Sequence, residues 1–419
     1  TRRRVAKEKQ RRRHRAELTR KLLTRGQQTL EEQQWDRKVQ NLGERGITLA
    51  ALLDFYRNLP AWMPHFHPAM STTEDVVRGA IIPMTAEGQC CGADVIMEGQ
   101  PITPNNMVTH NWNNLFRDLV AGIVASALGE HSWSRVAVLL TEDLGCLERW
   151  VRQHGLESQS YWVCAFAVNQ HRSICGFVPP SRVDSVTRQR FKVCRCGAEK
   201  HFNDAKPALA DGRSIHCEIN KFDDMMRYLS QKSAAFGQVV CVDADFEIFS
   251  RAWCLAEVAA ANEMAMQQRL IIRSEDCLEE HAEGLRSLRI EDMHASRPED
   301  TQQILDSIPD TDAFNASLQD LLFNELIPSW SSLDTEEQMA HVGRIIRWHG
   351  TASWSVAAQP RRPLDLQRIF WMDEAPVQPP AALATVCLQL GVPSDSKEGQ
   401  HLEEATAGSS DGGFAAINL

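Results

Sequence analysis

The chain has 419 residues, of which 43% are apolar and 24% charged, enough for two or three structural units with buried cores. Its net charge of −10 is uneven, because residues 1–30 hold twelve Lys or Arg and two acidic residues, whereas the remainder is acidic. An acidic body argues against nucleic-acid binding over a broad face. The lack of any run of about 18 apolar residues argues against a membrane-spanning helix.

The cysteine content suits a reduced intracellular protein better than a disulfide scaffold, since twelve cysteines are spread over 419 residues. We therefore expect a cytoplasmic location. Residue 1 is Thr and not Met, which leaves an upstream targeting peptide open, and with it a nuclear or organellar location.

Residues 1–46 predict a basic helical arm, because they lack Pro and are rich in Arg, Lys, Gln and Glu. The arm is expected to be an exposed helix. A second interpretation is a nuclear-import segment, or one that contacts RNA or an acidic partner, through the basic run at 11–15. Residues 47–103 predict a small helical unit and linker, in which Ser71–Glu74 forms a capping box for a helix that stops at Pro83.

From residue 104 to 275 apolar segments alternate with amphipathic ones, which predicts an α/β domain. The expected strands are Met107–His110, Arg135–Leu140, Tyr161–Val168, Gln238–Val242 and Arg269–Ile272. The expected helices are Asn113–Leu128, Glu142–His154, Phe222–Ser230 and Ser250–Met266. Continuous apolar strands separated by helices indicate a parallel sheet covered on both faces, in a flavodoxin-like three-layer arrangement. Such folds place ligands beyond the carboxyl ends of the strands, here after Val108, Val168 and Val242.

Three further segments complete the predicted organisation. Residues 172–219 form an irregular insertion in the α/β domain, and residues 276–332 predict a helical extension packed on the sheet. Residues 333–419 contain Pro-rich stretches and end in a Gly/Ser/acid-rich segment, which predicts a weakly ordered tail.

The segment Ser250–Val258 reads Ser-Arg-Ala-Trp-Cys-Leu-Ala-Glu-Val. It resembles the Ser-x-Trp-Cys-Leu-x-Glu-Leu motif of TIR (Toll/interleukin receptor) domains. Val108–Trp112 is similar to the start of such a domain, and Tyr161–His171 and Asp292–Leu305 look like segments of TIR-like proteins common in dinoflagellates and other algae. The resemblance covers about residues 104–310. It departs from the plant-type pattern at Asn111–Asn114, where that family has a Gly-rich loop with acidic and Arg residues.

The TIR resemblance implies that Glu257 is catalytic, because some members cleave NAD at the nicotinamide–ribose bond with the Glu of this motif; other members only assemble signalling complexes. Independently of the resemblance, helical spacing surrounds Glu257 with apolar residues, where a carboxylate is costly and its pKa rises. A carboxylate can stabilise the positive charge that develops on ribose. The structural alternative is a Glu257 that caps a loop or pairs with Arg251 or Arg117.

The remaining candidate substrate-binding residues follow the predicted strands or begin the predicted helix. They are His110, Asn111, Trp112, Asn169, His171, Ser250 and Trp253. Each has a structural alternative: Trp112 as a core residue, His171 as a loop histidine bonded to backbone, and Ser250 as a helix N-cap. Asp243 and Asp245 can orient a ligand or cap the same helix.

The insertion also carries a weak zinc candidate, formed by Cys194, Cys196, His216 and Cys217, with Cys175 upstream. Unpaired reduced thiols are the alternative.

The sequence leaves two functions open. One is a TIR-like domain that cleaves NAD or a related nucleotide in signalling or stress response, with no cofactor required. The other is a TIR-like scaffold for protein–protein interaction. Under both hypotheses we expect the domain to self-associate, and we expect no membrane partner.

Overall fold

The computed structural model describes residues 29–180, 182–294, 301–302, 304–305, 308 and 310–326. All of them lie in the first of two compact units of the chain, Thr1–Ser332. The predictions for the arm before residue 29 and for the tail 333–419 fall outside the described residues. Within the described part of the chain, no helix combines the length and the apolar character needed to cross a bilayer.

The described part combines a five-stranded sheet with helices along its whole length. The strands are β1 Ile47–Thr48, β2 Asn106–His110, β3 Ser160–Val163, β4 Gly237–Cys241 and β5 Gln267–Ile271. The helices are α1 Leu30–Gly43, α2 Leu49–Trp62, α3 Thr73–Val76, α4 Ile82–Met84, α5 Gly92–Ile96, α6 Phe116–Ala127, α7 Ser134–Glu142, α8 Leu144–Gln153, α9 Cys164–Ala167, α10 Phe222–Lys232, α11 Ala252–Glu263, α12 Glu275–Arg286 and α13 Thr311–Asp320.

The strand order is β1-β3-β2-β4-β5, in which β1 is antiparallel to β3 and the other neighbours are parallel. In the register, Met107 of β2 lies opposite Trp162 of β3 on one side and Gln238 of β4 on the other. The α/β class and the mostly parallel sheet are confirmed. Four of the five predicted strand regions form these parallel strands. They are recognisable in the sequence because buried parallel strands are apolar on both faces.

Helices cover both faces of the sheet. The helix α11 contacts β2, β4 and β5 on one face, and α6 contacts β4 and β5. The approach of α6 is close: a Cβ on Gly122 would lie 2.8 Å from the Cys241 sulfur on β4, so only glycine allows it. Since side chains alternate along a strand, the face opposite Cys241 carries Gln238 and Val240 toward α11.

Two predicted strands differ in the structure. The strand expected at Arg135–Leu140 is wrong, since this segment lies in the helix α7. Its buried residues, Val136, Ala137, Leu139 and Leu140, follow helical spacing. The strand expected at Tyr161–Val168 ends at Val163, where the short helix α9 begins.

The prediction of an exposed helix is wrong for the end of the arm, because α1 is a packed helix. Trp35, Val39 and Leu42 are buried, and they share a core with α10 and with Trp162 of β3. Trp162 Nε1 also donates to the Leu42 carbonyl, 2.9 Å away. The small unit expected after residue 46 is likewise not separate, since β1 joins the same sheet.

Helices after residue 275 pack on the sheet. Side chains of α12, of α13 and of the turn at Leu321–Leu326 share one apolar core with β4 and α11; it includes Val240, Val258, Leu285, Leu318 and Leu322. Residues 172–219 have little regular secondary structure up to the 3₁₀ turn at Ile219–Lys221.

Candidate functional site

A row of polar side chains, three of them buried and one half-buried, crosses the sheet on the face covered by α11. Gln268 of β5 donates to Gln238 of β4 at 2.7 Å, and Gln238 donates to the Thr109 hydroxyl of β2 at 2.8 Å. Thr109 Oγ1 in turn donates to Glu257 Oε2 of α11 at 2.6 Å. We call these four residues the Glu257 row. Buried polar groups of this kind are costly unless they are hydrogen-bonded, and the row bonds each of them to the next.

Glu257 is the ionisable member of the row, and its carboxyl has a strongly raised pKa. Burial raises its pKa to about 8, the Thr109 hydrogen bond acts in the opposite direction, and the Asp223 carboxylate of α10 adds to the rise. Arg117, one of the predicted ion-pair partners, binds Asp118 instead at 2.7 Å. The Glu257 carboxyl is therefore held largely protonated at neutral pH, in an apolar setting without a basic ion-pair partner among the described residues.

Two thiols flank Glu257 toward the carboxyl edge of the sheet. Cys254 precedes it by one helical turn and donates to the His110 carbonyl at 3.5 Å. Cys164, at the start of α9, is half-buried and accepts from Trp112 Nε1 at 3.3 Å. Burial, with the nearby Glu257 charge adding to it, raises the pKa of Cys164 to about 12, so this thiol stays protonated.

The residues at the end of β2 contact two different places. His110 and Trp112 lie at this edge of the sheet, and Asn111 contacts the neighbouring loop. The His110 ring is buried, which lowers its pKa to about 4 and keeps it neutral, and its Nε2 lies 3.9 Å from the Cys164 sulfur. Asn111 points the other way and donates to Glu247 at 3.4 Å. His110 and Trp112 therefore lie beside the Glu257 row, whereas Asn111 holds the loop that precedes α11.

Asp243 and Ser250 bond to the backbone of this loop and not to the first turn of α11. Asp243 accepts from the backbone N–H groups of Glu247 and Ile248, at 2.7 and 2.8 Å, and so caps the 3₁₀ turn Glu247–Ser250. Ser250 is not the N-cap of α11, which is Arg251; its hydroxyl donates to the Glu247 carbonyl at 2.8 Å. Trp253 is half-buried and packs on the core that α11 shares with the C-terminal helices.

Asn169 and His171 lie apart from the Glu257 row, and His171 belongs to a second cluster. Asn169 donates to the Gln89 carbonyl at 2.8 Å, and its own N–H donates to Glu218 at 2.8 Å. His171 Nε2 lies 2.9 Å from the Thr85 hydroxyl. These partners are separate from the Glu257 row, so the structure does not join Asn169 and His171 to it within the described residues.

The second cluster gathers three thiols around His171. The ligand atoms of His171, Cys175, Cys194 and Cys196 all lie within 4.8 Å of one another, and we call these residues the His–Cys cluster. Of the predicted zinc candidates, Cys194 and Cys196 are in it. His216 instead lies against His201, with ring centroids 4.9 Å apart, and Cys217 is buried outside the cluster.

Sequence reasoning missed three members of the Glu257 row and one role. Thr109 and Gln238 lie inside buried strands, where the only signal is that Gln is unusual, and Gln268 lies in the polar first half of β5 and gives no signal. His171 was assigned to a substrate site because it follows β3, although the structure surrounds it with thiols.

Comparison of the chain with protein-family models, with curated proteins and with solved structures found no match. The function of the chain must therefore be inferred from the geometry of the Glu257 row and of the His–Cys cluster.

Proposed function

We propose that this chain contains a flavodoxin-like TIR-like domain that hydrolyses the nicotinamide–ribose bond of NAD or a related dinucleotide through Glu257. The observation that carries the proposal is the buried Glu257 carboxyl, which lies at the carboxyl-terminal part of β2 with Thr109 as its hydrogen-bond donor. A buried carboxyl with a strongly raised pKa is a recurrent feature of catalytic sites.

The strand order supports this location. Counted along the chain, the four parallel strands β2, β3, β4 and β5 are arranged 2-1-3-4, as in flavodoxin-like folds. The direction of winding therefore reverses between β2 and β4. Ligands in such sheets bind at the carboxyl ends of the strands beside this reversal, and the bond from Thr109 of β2 to Glu257, on the helix after β4, spans it.

The chemistry requires one carboxylate. As the bond to nicotinamide breaks, positive charge develops on the ribose, and an ionised Glu257 in a poorly solvated site stabilises it. Water then adds to the ribose and loses a proton, while nicotinamide leaves as a neutral molecule. The substrate's nicotinamide ring is cationic, and a positive charge near Glu257 favours the ionised form, so binding prepares the carboxylate.

Two neighbours of Glu257 have supporting roles in the proposed reaction. Trp112 is half-buried beside Cys164 and offers an aromatic face for a base or for nicotinamide. The neutral His110 ring adds a polar group without adding positive charge, which would oppose the developing cation. Cys164 is not proposed as a nucleophile because its thiol stays protonated.

Nicotinamide release from NAD by the purified full chain tests the proposal. Glu257→Gln keeps an oxygen that can accept from Thr109 but removes the charge, so we expect at least about a hundredfold loss of kcat/KM. Glu263→Gln, at the exposed end of the same helix, is the matched control and should leave the rate unchanged. For the wild type, kcat/KM should rise with pH toward about 8, because the free enzyme must lose the Glu257 proton.

A TIR-like scaffold is the second candidate, and the low exposure of Glu257 favours it: only 9% of the residue is accessible. On this hypothesis the domain self-associates, and Glu257 only bonds Thr109. Equal nicotinamide release by the wild type and Glu257→Gln would exclude the hydrolase. Sedimentation velocity over a range of protein concentrations would then detect the self-association that the scaffold requires.

A further inference from the structure

We propose that the His–Cys cluster is a structural zinc site, in which one Zn²⁺ is bound by His171 Nδ1 and the sulfurs of Cys175, Cys194 and Cys196. Three thiolates with one imidazole are a ligand set that closed, four-coordinate zinc sites use. This inference does not depend on the hydrolase proposal, because the His–Cys cluster shares no residue with the Glu257 row.

Two of the distances between ligand atoms match a tetrahedron around zinc, and all of these atoms lie within 4.8 Å of one another. The sulfurs of Cys175 and Cys196 lie 3.7 Å apart, and His171 Nδ1 lies 3.7 Å from the sulfur of Cys194. Zn–S bonds of about 2.3 Å and Zn–N bonds of about 2.0 Å at tetrahedral angles put ligand atoms roughly 3.5–3.8 Å apart. A zinc ion can therefore be placed with little rearrangement of these side chains.

The hydrogen bonds of Thr85 select the ring nitrogen that faces the thiols. The Thr85 hydroxyl donates its hydrogen to the Ile81 carbonyl at 2.7 Å, so it accepts from His171 Nε2 at 2.9 Å. The Nε2 atom then carries the ring proton, and the lone pair of Nδ1 is directed at the cluster. An imidazole oriented through its second nitrogen is the usual arrangement of a metal-bound histidine.

Lys200 supplies the charge that such a site needs. Three thiolates, one neutral imidazole and Zn²⁺ leave one net negative charge. The Lys200 ammonium donates to the Cys175 sulfur at 3.2 Å and to the His171 carbonyl at 2.6 Å. It therefore both neutralises the site and holds the chain around the ligands.

The site would fasten the irregular insertion to the domain. Its ligands come from the end of the segment that follows β3, at 171 and 175, and from the loop at 194–196. Hydrogen bonds already hold these parts in place: the Cys194 N–H donates to the Cys175 carbonyl at 3.0 Å, and the Gln89 side-chain amide donates to the Cys196 carbonyl at 2.9 Å. Metal binding contributes directly to the folding of a segment that has little regular structure.

The first test is the zinc content of the full chain, expressed with zinc and dialysed against metal-free buffer, measured by inductively coupled plasma mass spectrometry. We expect about one zinc per chain, and its loss in Cys194→Ser and in His171→Ala. The control is Cys217→Ala, which replaces a cysteine outside the cluster and should keep its zinc. Zinc that is removed by dialysis, or that survives Cys194→Ser, would overturn the proposal.

A second measurement on the wild type remains decisive if a variant fails to fold. Bound zinc should protect Cys175, Cys194 and Cys196 from alkylation. A chelator should raise the alkylation rate of these thiols at least tenfold, as measured by peptide mass spectrometry. Cobalt in place of zinc should give thiolate-to-metal charge-transfer bands and tetrahedral d–d bands. Alkylation that is indifferent to the chelator, or a Cys175–Cys196 disulfide in protein purified under reducing conditions, contradicts the site.

Discussion

At the scale of single residues, the ionisation of Glu257 makes a prediction about stability that is independent of any activity. The pKa of Glu257 in the folded chain, about 8, lies above its ordinary value of 4.5, because burial disfavours the charged form. Between these two values the folded state keeps a proton that the unfolded state has released. Stability from this group is thus complete below about pH 4.5 and is lost as the pH rises toward 8.

Glu257→Gln should abolish this pH dependence. Relative to the variant, the wild type is expected to lose about 3 kcal/mol of unfolding free energy between about pH 5 and pH 8. Urea unfolding curves at several pH values measure the difference. A constant difference across this range would show that Glu257 ionises as an ordinary exposed carboxyl.

The sequence located Glu257 but not the residue that bonds it. The Trp-Cys-Leu-x-Glu spacing placed the carboxyl on an apolar helix after a buried strand, which the structure has at α11 and β4. The Thr109 hydroxyl comes from a strand far away in the chain, and Thr within an apolar strand has no distinctive pattern. The pairing depends on the register between β2 and β4, which no local periodicity encodes.

At the scale of elements, Glu218 connects the insertion to the first helix. Its carboxylate binds Lys38 at 2.7 Å and Arg45 at 3.1 Å, and it accepts from the Asn169 N–H at 2.8 Å. Burial alone would raise its pKa, but the Arg45 and Lys38 charges outweigh burial and lower the pKa to about 2. The end of the insertion is thus joined both to α1 and to the segment after α9.

Glu218→Gln should destabilise the chain by about 3 kcal/mol at neutral pH, because it leaves Arg45 buried without its counter-ion. Since the folded pKa lies below 4.5, the wild-type advantage exists above that value and declines as the pH falls toward 2. Glu157→Gln is the control, since its pair with Arg152 is exposed and should contribute less than about 1 kcal/mol. Urea unfolding at neutral pH compares the two variants, and equal losses would contradict the role of Glu218.

The same scale shows where sequence patterns are ambiguous. The run Arg-Val-Ala-Val-Leu-Leu at 135–140 has the β-branched residues of a strand and also the spacing of a buried helix face, and it forms α7. In α1, the sequence carries Trp35, Val39 and Leu42 at the spacing of a buried helix face. The many charged residues around them nevertheless favour an exposed helix, which is the wrong prediction for this segment. The sequence groups the three thiols of the His–Cys cluster but does not indicate His171 as their partner, because 171–175 and 194–196 meet through an irregular loop.

At the scale of the whole molecule, the charge distribution predicts a binding property of the first 28 residues. They hold twelve Lys or Arg and two acidic residues, in a chain whose net charge is −10. A basic segment on an acidic protein binds polyanions through phosphate contacts, and such binding weakens steeply with salt because counterions are released. We expect single-stranded RNA to bind the full chain and to lose affinity when residues 1–28 are deleted.

Fluorescence anisotropy with a labelled RNA, repeated over a series of salt concentrations, measures this effect. The logarithm of affinity should fall linearly with the logarithm of salt, with a slope of about −0.7 for each phosphate contacted. The triple substitution Arg11→Gln, Arg12→Gln and Arg13→Gln should reduce that slope by about 2, because three contacts are lost. Arg152→Gln, which removes one positive charge from the exposed surface of the body, is the control and should leave the slope unchanged. Binding that persists without residues 1–28 would place the RNA contact on the body, against its acidic charge. A slope near zero would exclude phosphate contacts and favour an acidic protein as the partner of this segment.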